Sequence, residues 1–277
     1  MPLDTAHPKL ARLQAILKEM QSAVVAFSGG VDSTFLLKVA ADTLGKNVLA
    51  VTALSPTYPP EEHDRACALA RSLGVRHLTI FTNELSEPAF ASNPPDRCYH
   101  CKKELFRKLR EIAARENLRF VIDAGNADDL SDYRPGRKAA VEAQIRSPLI
   151  EAGLAKEEIR LLSKEMGLAT WDKPSAACLA SRLPYGETIT PEKLQRIDSA
   201  EKLLRELGFK QVRVRSHGDL ARIEVESEAL QKLAVPETRA LVAAKLKDLG
   251  FAYVTMDLSG YRMGSLNETL SRESESR

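Results

Sequence analysis

The sequence has no run approaching the ~18 apolar residues that a membrane span needs, and its N-terminus lacks a basic stretch followed by an apolar core. No spanning helix and no secretory signal are therefore expected, and the cytoplasm is the expected compartment. It also lacks an excess of either charge: 40 Lys and Arg stand against 38 Asp and Glu, a net +2. A protein that neutralises many backbone phosphates carries a basic face, so no nucleic-acid partner is expected. Cysteine is scarce, at four residues. In a reducing compartment, scarce thiols point to metal binding or chemistry before disulfides. There is no internal repeat. What is present is ordinary for a globular protein: 277 residues, 44% hydrophobic and 28% charged, enough for one large domain or two unequal ones.

The chain is organised around residues 23–33, AVVAFSGGVDS. An apolar run, Ala23 to Phe27, ends in a small-residue turn that leads straight into a helical pattern. Gly29 and Gly30 let the backbone approach a ligand without Cβ clashes. Free N–H groups and the dipole at the following helix start favour an anion there, and Ser28 and Ser33 add hydroxyls. The turn is not a GxxxxGK[ST] loop, because no Lys follows its glycines. It resembles the SGGxDS pyrophosphate loop of the ATP pyrophosphatases, with Ser28, Gly29, Gly30, Asp32 and Ser33 all matching.

Taken in order, residues 6–20 carry apolar positions at helical spacing. Strands are predicted at 23–27, 47–54, 75–81 and 119–124, with helices at about 31–45, 59–74, 102–117 and 155–166. Alternation at these lengths predicts an α/β fold, a doubly wound and mainly parallel sheet. Residues 124–140 read as a charged loop, and 168–186 as a long connection holding the only Trp and a Cys. Connections of that length without periodicity are usually functional or disordered. Beyond Thr190-Pro191 a helix, two strands at 211–216 and 221–225, a helix at 236–249 and a strand at 251–258 predict a smaller C-terminal α+β module. The expected division is an ATP pyrophosphatase domain at 1–188, a small substrate-binding or oligomerisation domain at 189–270, and a disordered polar tail at 271–277.

Three constellations can carry chemistry. Cys98-Tyr99-His100-Cys101 is a CxxC, readable as a redox dithiol, half of a metal site, or chance. With Cys178 it would supply three thiolates, a set that fits an iron–sulfur cluster with one iron left open; the alternative is three small buried hydrophobes. In the run Asp123 to Asp129, Gly125 permits close approach, and Asn126 and the carboxylates, Asp129 among them, suit ribose hydroxyls or Mg²⁺. The other reading is a solvated acidic loop. Arg213 and Arg215 are two apart on one strand and share a face, with Arg222 on the neighbouring strand and Arg182 in the long connection. Paired guanidinium groups are satisfied by a phosphate or carboxylate; alternatively they form an outward polar stripe.

Together these motifs resemble the LarE family of sulfur transferases, which build the nickel-pincer cofactor of lactate racemase. The matching stretches are SGGVDS at 28–33, NPPDRCYHCK at 93–102, GNADDLSDYRPG at 125–136, WDKPSAACLASRLPYG at 171–186 and VRVR at 212–215. The resemblance implies that ATP, with Mg²⁺ held partly by Asp32, adenylates a carboxylate of pyridinium-3,5-biscarboxylic acid mononucleotide. A sulfur nucleophile then displaces AMP and leaves a thiocarboxylate. By position, Arg213 and Arg215 would grip the substrate phosphate, and Ser181 and Arg182 would line the site beside Cys178. Members with only the cysteine matching Cys178 consume its sulfur. Members with an added CxxC hold a [4Fe–4S] cluster, here on Cys98, Cys101 and Cys178, and turn over. The CxxC selects the cluster type, and a homo-oligomer is implied. The rival readings are sacrifice of Cys178, a tRNA thiolase of the same superfamily, and an adenine-nucleotide sensor without catalysis.

Overall fold

A computed structural model describes residues 2–130, 135–174, 177–262 and 264–267. The chain forms two compact units: residues 1–90 with 95–176, and residues 91–94 with 177–277. The sequence put the division at 188/189. The units divide at 176/177, so Cys178 falls in the second, and the polar tail lies outside the described residues.

The first unit is built on strands β1 (Ala23–Ala26), β2 (Val48–Leu54), β3 (Arg76–Phe81) and β4 (Phe120–Ile122), all parallel in the order 3-2-1-4. Helices α1 (Pro2–Met20), α2 (Val31–Leu44), α3 (Pro60–Ser72), α4 (Pro88–Ala91), α5 (Arg97–Arg115), α6 (Gly136–Glu142), α7 (Pro148–Ala152) and α8 (Lys156–Glu165) surround it. The side-chain alternation of a strand explains the layering. Ala23 and Val25 of β1, with Val48 and Ala50 of β2, face a core made by α1, α2, α3, α7 and α8. Val24, Leu49 and Val51 face the opposite core, made by α5 and α6. A sheet covered on both faces needs the near-continuous apolar run seen in β2.

The structure departs from the sequence expectation in places that matter for the site. The helix expected from Lys102 begins at Arg97, which puts Cys98 and Cys101 in its first two turns. The charged stretch expected as loop contains α6, and α7 was not expected. Both are short, and α6 begins on Gly, whose helix propensity is poor.

The second unit holds α9 (Pro191–Glu206), β5 (Val212–His217), β6 (Leu220–Val225), α10 (Leu230–Ala234), α11 (Pro236–Asp248) and β7 (Tyr253–Met256). Thr190 caps α9 by accepting from the Lys193 N–H, with Pro191 at its first position. The sheet is mixed: β5 and β6 are antiparallel, β6 and β7 parallel. Val212, Val214, Ile223 and Val225 pack on Leu204, Leu246 and Phe251. Among the described residues no helix is long and apolar enough to cross a membrane.

Candidate active site

The pyrophosphate-type loop sits where β1 meets α2, at the carboxyl end of the sheet, the usual ligand end of such folds. Gly29 has φ +68°, and a Cβ there would stand 3.1 Å from the Cα and Cβ of Ala66 on α3. Both the left-handed backbone and the close helix therefore demand glycine. No side chain caps α2, so the loop leaves its first-turn N–H groups facing out for an anion. Ser33 is a scaffold rather than an outward donor. Its buried hydroxyl donates to the Gly30 carbonyl (3.3 Å), accepts from the Ser28 N–H (3.3 Å) and meets the Ser28 hydroxyl at 3.1 Å.

Asp32, in the first turn of α2, pairs through Oδ2 with Lys156 Nζ at 2.6 Å. Its Oδ1 is buried and has no hydrogen-bond partner among the described residues. A hard carboxylate oxygen left in that condition fits a Mg²⁺ ion accompanying a polyphosphate. Lys173, from the WDKP stretch, donates to the Gly29 carbonyl (3.1 Å) and pairs with Glu62 of α3 (2.7 Å). The sequence reading passed over both lysines.

At the end of β4 the acidic run is largely occupied with its own backbone. Gly125 N–H donates to Asp123, Asn126 N–H to Asp129 and Asp128 N–H to Asn126 Oδ1. Asp128 also accepts from the Lys156 N–H at 2.8 Å, capping α8. Gly125 is tightly packed, since a Cβ there would lie 3.2 Å from Ile150 Cδ1. These Asx turns fix the strand end and thereby the start of α8, which carries Lys156 to Asp32.

Cys98 is exposed and Cys101 half-buried at the start of α5. Three residues apart on a helix, they are neighbours on its surface. Cys101 Sγ donates to Glu84 Oε1 at 3.6 Å. Glu84 is itself buried and held by Ser55 (2.7 Å) and Thr82 (2.9 Å), at the ends of β2 and β3. Among the described residues, no three His, Cys, Asp or Glu side chains are gathered as a metal site. Cys67 is half-buried with its Sγ 3.5 Å from His63 Nε2.

In the second unit Cys178 opens a short 3-10 turn, Leu179–Arg182. Its carbonyl accepts from Ser181 N–H (3.0 Å), Ser181 Oγ (2.8 Å) and Arg182 Nη1 (2.9 Å). Arg182, 3% exposed, also donates to the Ala177 carbonyl (2.8 Å), and its fork is closed by Glu201 at 2.7 and 3.0 Å. Arg215 is bidentate to Glu224 at 2.9 and 3.0 Å and donates to the Ser181 carbonyl (2.7 Å) and Ser265 (2.8 Å). Glu224 reaches it diagonally across the antiparallel pair, since its register partner is Arg213.

Arg182, Arg213, Arg215, Glu201 and Glu224 are all at most 8% exposed, so the three guanidinium groups outnumber the two carboxylates. Burial, and next the charge of Arg182, lower the Arg213 pKa to about 10. Burial pushes Glu201 up, but Arg182, Arg213 and the Val214 N–H together outweigh it and the net shift is downward. A buried cluster with surplus positive charge, built around the Cys178 backbone, suits an anion. Arg182, Arg213 and Arg215 thus face inward while Arg222 stays half-buried, and the carboxylate partners Glu201 and Glu224 were missed. Alternation along β6 puts Glu224 and Arg222 on one face, which was the available signal.

A parallel α/β sheet carrying an SGGVDS turn between β1 and α2 places the chain in the NAD synthase and ATP pyrophosphatase superfamily, and residues 11–122 match the NAD synthase family. An uncharacterized protein of Synechocystis is 47% identical over 264 residues, covering 95% of this chain and 98% of that one. The pyridinium-3,5-bisthiocarboxylic acid mononucleotide synthase of Lactiplantibacillus plantarum is 44% identical over 271 residues, 98% of each chain. An uncharacterized protein of Methanocaldococcus jannaschii is 30% identical over 92% of this chain and 97% of its own. The chain belongs to the LarE family.

Proposed function

We propose that the protein is an ATP-dependent, sulfur-inserting synthase that makes pyridinium-3,5-bisthiocarboxylic acid mononucleotide in the cytoplasm. The observation that carries the reading is the 44% identity to the L. plantarum synthase over 98% of both chains. A carboxylate oxygen of the substrate attacks the α-phosphorus of ATP and pyrophosphate leaves. The first-turn N–H groups of α2 take up its developing charge. A sulfur nucleophile then attacks the acyl carbon, and AMP departs with the carboxylate oxygen. Thiolate-type sulfur is the strongest ordinary nucleophile available to a protein.

In this reading Asp32 offers its buried Oδ1 to Mg²⁺, and Ser33 keeps the loop in shape. Gly125, Asn126 and Asp129 form the wall for the nucleoside. Arg213 and Arg215 neutralise the substrate phosphate, and Arg182 with Ser181 fixes the Cys178 backbone. Three cysteine thiols match the donor set of a [4Fe–4S] cluster with one open iron, so Cys98, Cys101 and Cys178 are its proposed ligands. When bound, the cluster supplies an iron that carries the transferred sulfide. The protein is taken to act as a homo-oligomer on a small-molecule substrate.

The test is to purify the protein without oxygen and count iron and acid-labile sulfide per chain, beside Cys101→Ser. About four irons, lost in the variant, is the expected result. No iron, with loss of one sulfur from the chain after reaction with ATP and substrate, would replace the cluster by Cys178 as a consumed donor.

A further inference from the structure

Two ammonium groups reach the loop from outside the SGGVDS stretch. Lys156, the first residue of α8, lies 2.6 Å from Asp32 Oδ2; Lys173 lies 2.7 Å from Glu62 and 3.1 Å from the Gly29 carbonyl. All four side chains are largely covered, with 18–32% of their surface exposed. Their placement is not incidental. Glu62 and Ala66 are four apart on α3 and share a face, and Ala66 is the residue that Gly29 packs against. The Asx turns that end β4 cap α8 at Lys156 itself.

Electrostatically each ammonium is matched to a carboxylate, and Glu62 pairs in addition with Arg65 at 2.9 Å. A triphosphate entering the loop meets the carboxylates of Asp32 and Glu62, which oppose it, as well as the two lysines. The balance tips when a divalent cation takes Asp32. It prefers carboxylate oxygen, Oδ1 is already buried without a partner, and its charge displaces the ammonium from Oδ2. Lys156 is then free to turn to phosphate oxygen. Lys173, a flexible point charge on a long stem, can exchange Glu62 for phosphate in the same way.

We infer that Lys156 and Lys173 are polyphosphate ligands, held on Asp32 and Glu62 while the loop is empty and transferred to the nucleotide when metal and nucleotide arrive together. This rests on the ATP reading above and adds to it two residues and a reason for metal–nucleotide cooperativity. Lys156 acts as the stand-in cation of the empty site.

The experiment measures binding to the intact protein by calorimetry and by the spin signal of free manganese. The ligands are α,β-methylene-ATP, which cannot be cut at that bond, and Mn²⁺. In the wild type, each should strengthen the binding of the other. Lys156→Gln and Lys173→Gln should each weaken the analogue by about tenfold or more, the weight of one charge-assisted contact, while Lys173→Arg, which keeps the charge, should lose less. Lys156→Gln should also bind Mn²⁺ alone more tightly than the wild type, because Asp32 no longer shares an ammonium. If the wild type binds the analogue and both glutamine variants bind it equally well, the lysine assignment falls while the ATP reading stands. If Mn²⁺ alone binds Lys156→Gln no better than the wild type, the exchange at Asp32 falls. If the wild type binds no analogue even with metal, the ATP reading itself is overturned.

Discussion

Replacing Glu201 by Ala should destabilise the second unit severely, because it removes the counter-charge of a group that water cannot reach. Arg182 is 3% exposed and Glu201 1%, and they meet through two hydrogen bonds at 2.7 and 3.0 Å. Glu201 also accepts from the Val214 N–H at 3.1 Å and from Arg205 at 3.5 Å. Its loss leaves a buried guanidinium without its counter-charge and a buried backbone N–H without its acceptor. Breaking a buried pair from one side costs about 3–5 kcal/mol. With a urea dependence of about 2 kcal/mol per molar, the unfolding midpoint should fall by about 1.5–2.5 M. The discriminating comparison is Arg182→Met combined with Glu201→Leu, which removes both charges and refills the space. That double variant should be more stable than Glu201→Ala, with a coupling energy of several kcal/mol in the cycle. Activity should not return with stability, because the carbonyls of Ala177 and Cys178 have lost their Arg182 donor. A single-variant cost below about 1 kcal/mol, or a double variant no better than the sum of its singles, would refute the argument.

Gly29→Ala should leave the fold intact yet abolish binding of the ATP analogue. The change costs about 1–2 kcal/mol for a left-handed residue and pushes the loop off Ala66, 3.1 Å from the new Cβ; circular dichroism with calorimetry checks both halves. His77 has a pKa lowered from 6.5, first by burial and then by His63. The unfolded chain therefore binds the proton more readily, so the stability His77 contributes is full above pH 6.5 and is lost as pH falls through its lower folded value. Urea midpoints between pH 7.5 and 5 should flatten in His77→Gln, and an unchanged slope would count against it. Arg213→Ala should weaken substrate binding with little loss of stability, since burial already disfavours its charge. Arg215→Ala should cost stability as well, because it removes the bidentate partner of Glu224, which has no exposed surface and keeps only Arg222 as a counter-charge. Equal stability losses in the two would contradict this division.

The parts that were legible in the sequence are those carried by local chemistry. SGGVDS between an apolar run and a helical pattern fixes β1, the turn and α2, because each feature is set within a few residues. The parallel α/β class was legible from the alternation of strands and helices, since buried parallel strands read as apolar runs such as VLAVTAL, whereas the order 3-2-1-4 came only from the structure. Partnerships across the chain were not legible. Glu201 lies in a helix whose sequence, SAEKLLRE, reads as solvent-facing, and only the fold shows that it meets Arg182 nineteen residues earlier. Lys156 looks like an ordinary helix-start residue until α8 is seen to deliver it 124 positions back to Asp32. The CxxC was visible as a motif, but its place in the first turns of α5 was not, because the preceding NPPDR reads as a turn that delays the helix.

The two proposed anion-binding regions are built on different physical terms, and the proposed chemistry asks for that difference. Pyrophosphate must be bound while its bond breaks and then let go. The loop meets that need with backbone N–H groups at a helix start, whose pull is a fraction of a charge, and with lysines that have carboxylates waiting to take them back. The substrate must instead survive two successive carboxylate conversions. The second unit offers a guanidinium group already locked in place, Arg215 by Glu224, Ser181 and Ser265, beside Arg182, itself fixed by Glu201 and two carbonyls. Groups that are fixed before binding lose little conformational freedom when the anion arrives. Being buried, they are also weakly screened by salt. Exchangeable, partly exposed cations release a product, whereas a rigid and desolvated cluster retains one. A sequence that placed lysines around the second anion and arginines around the first would bind both, and would release them in the wrong order.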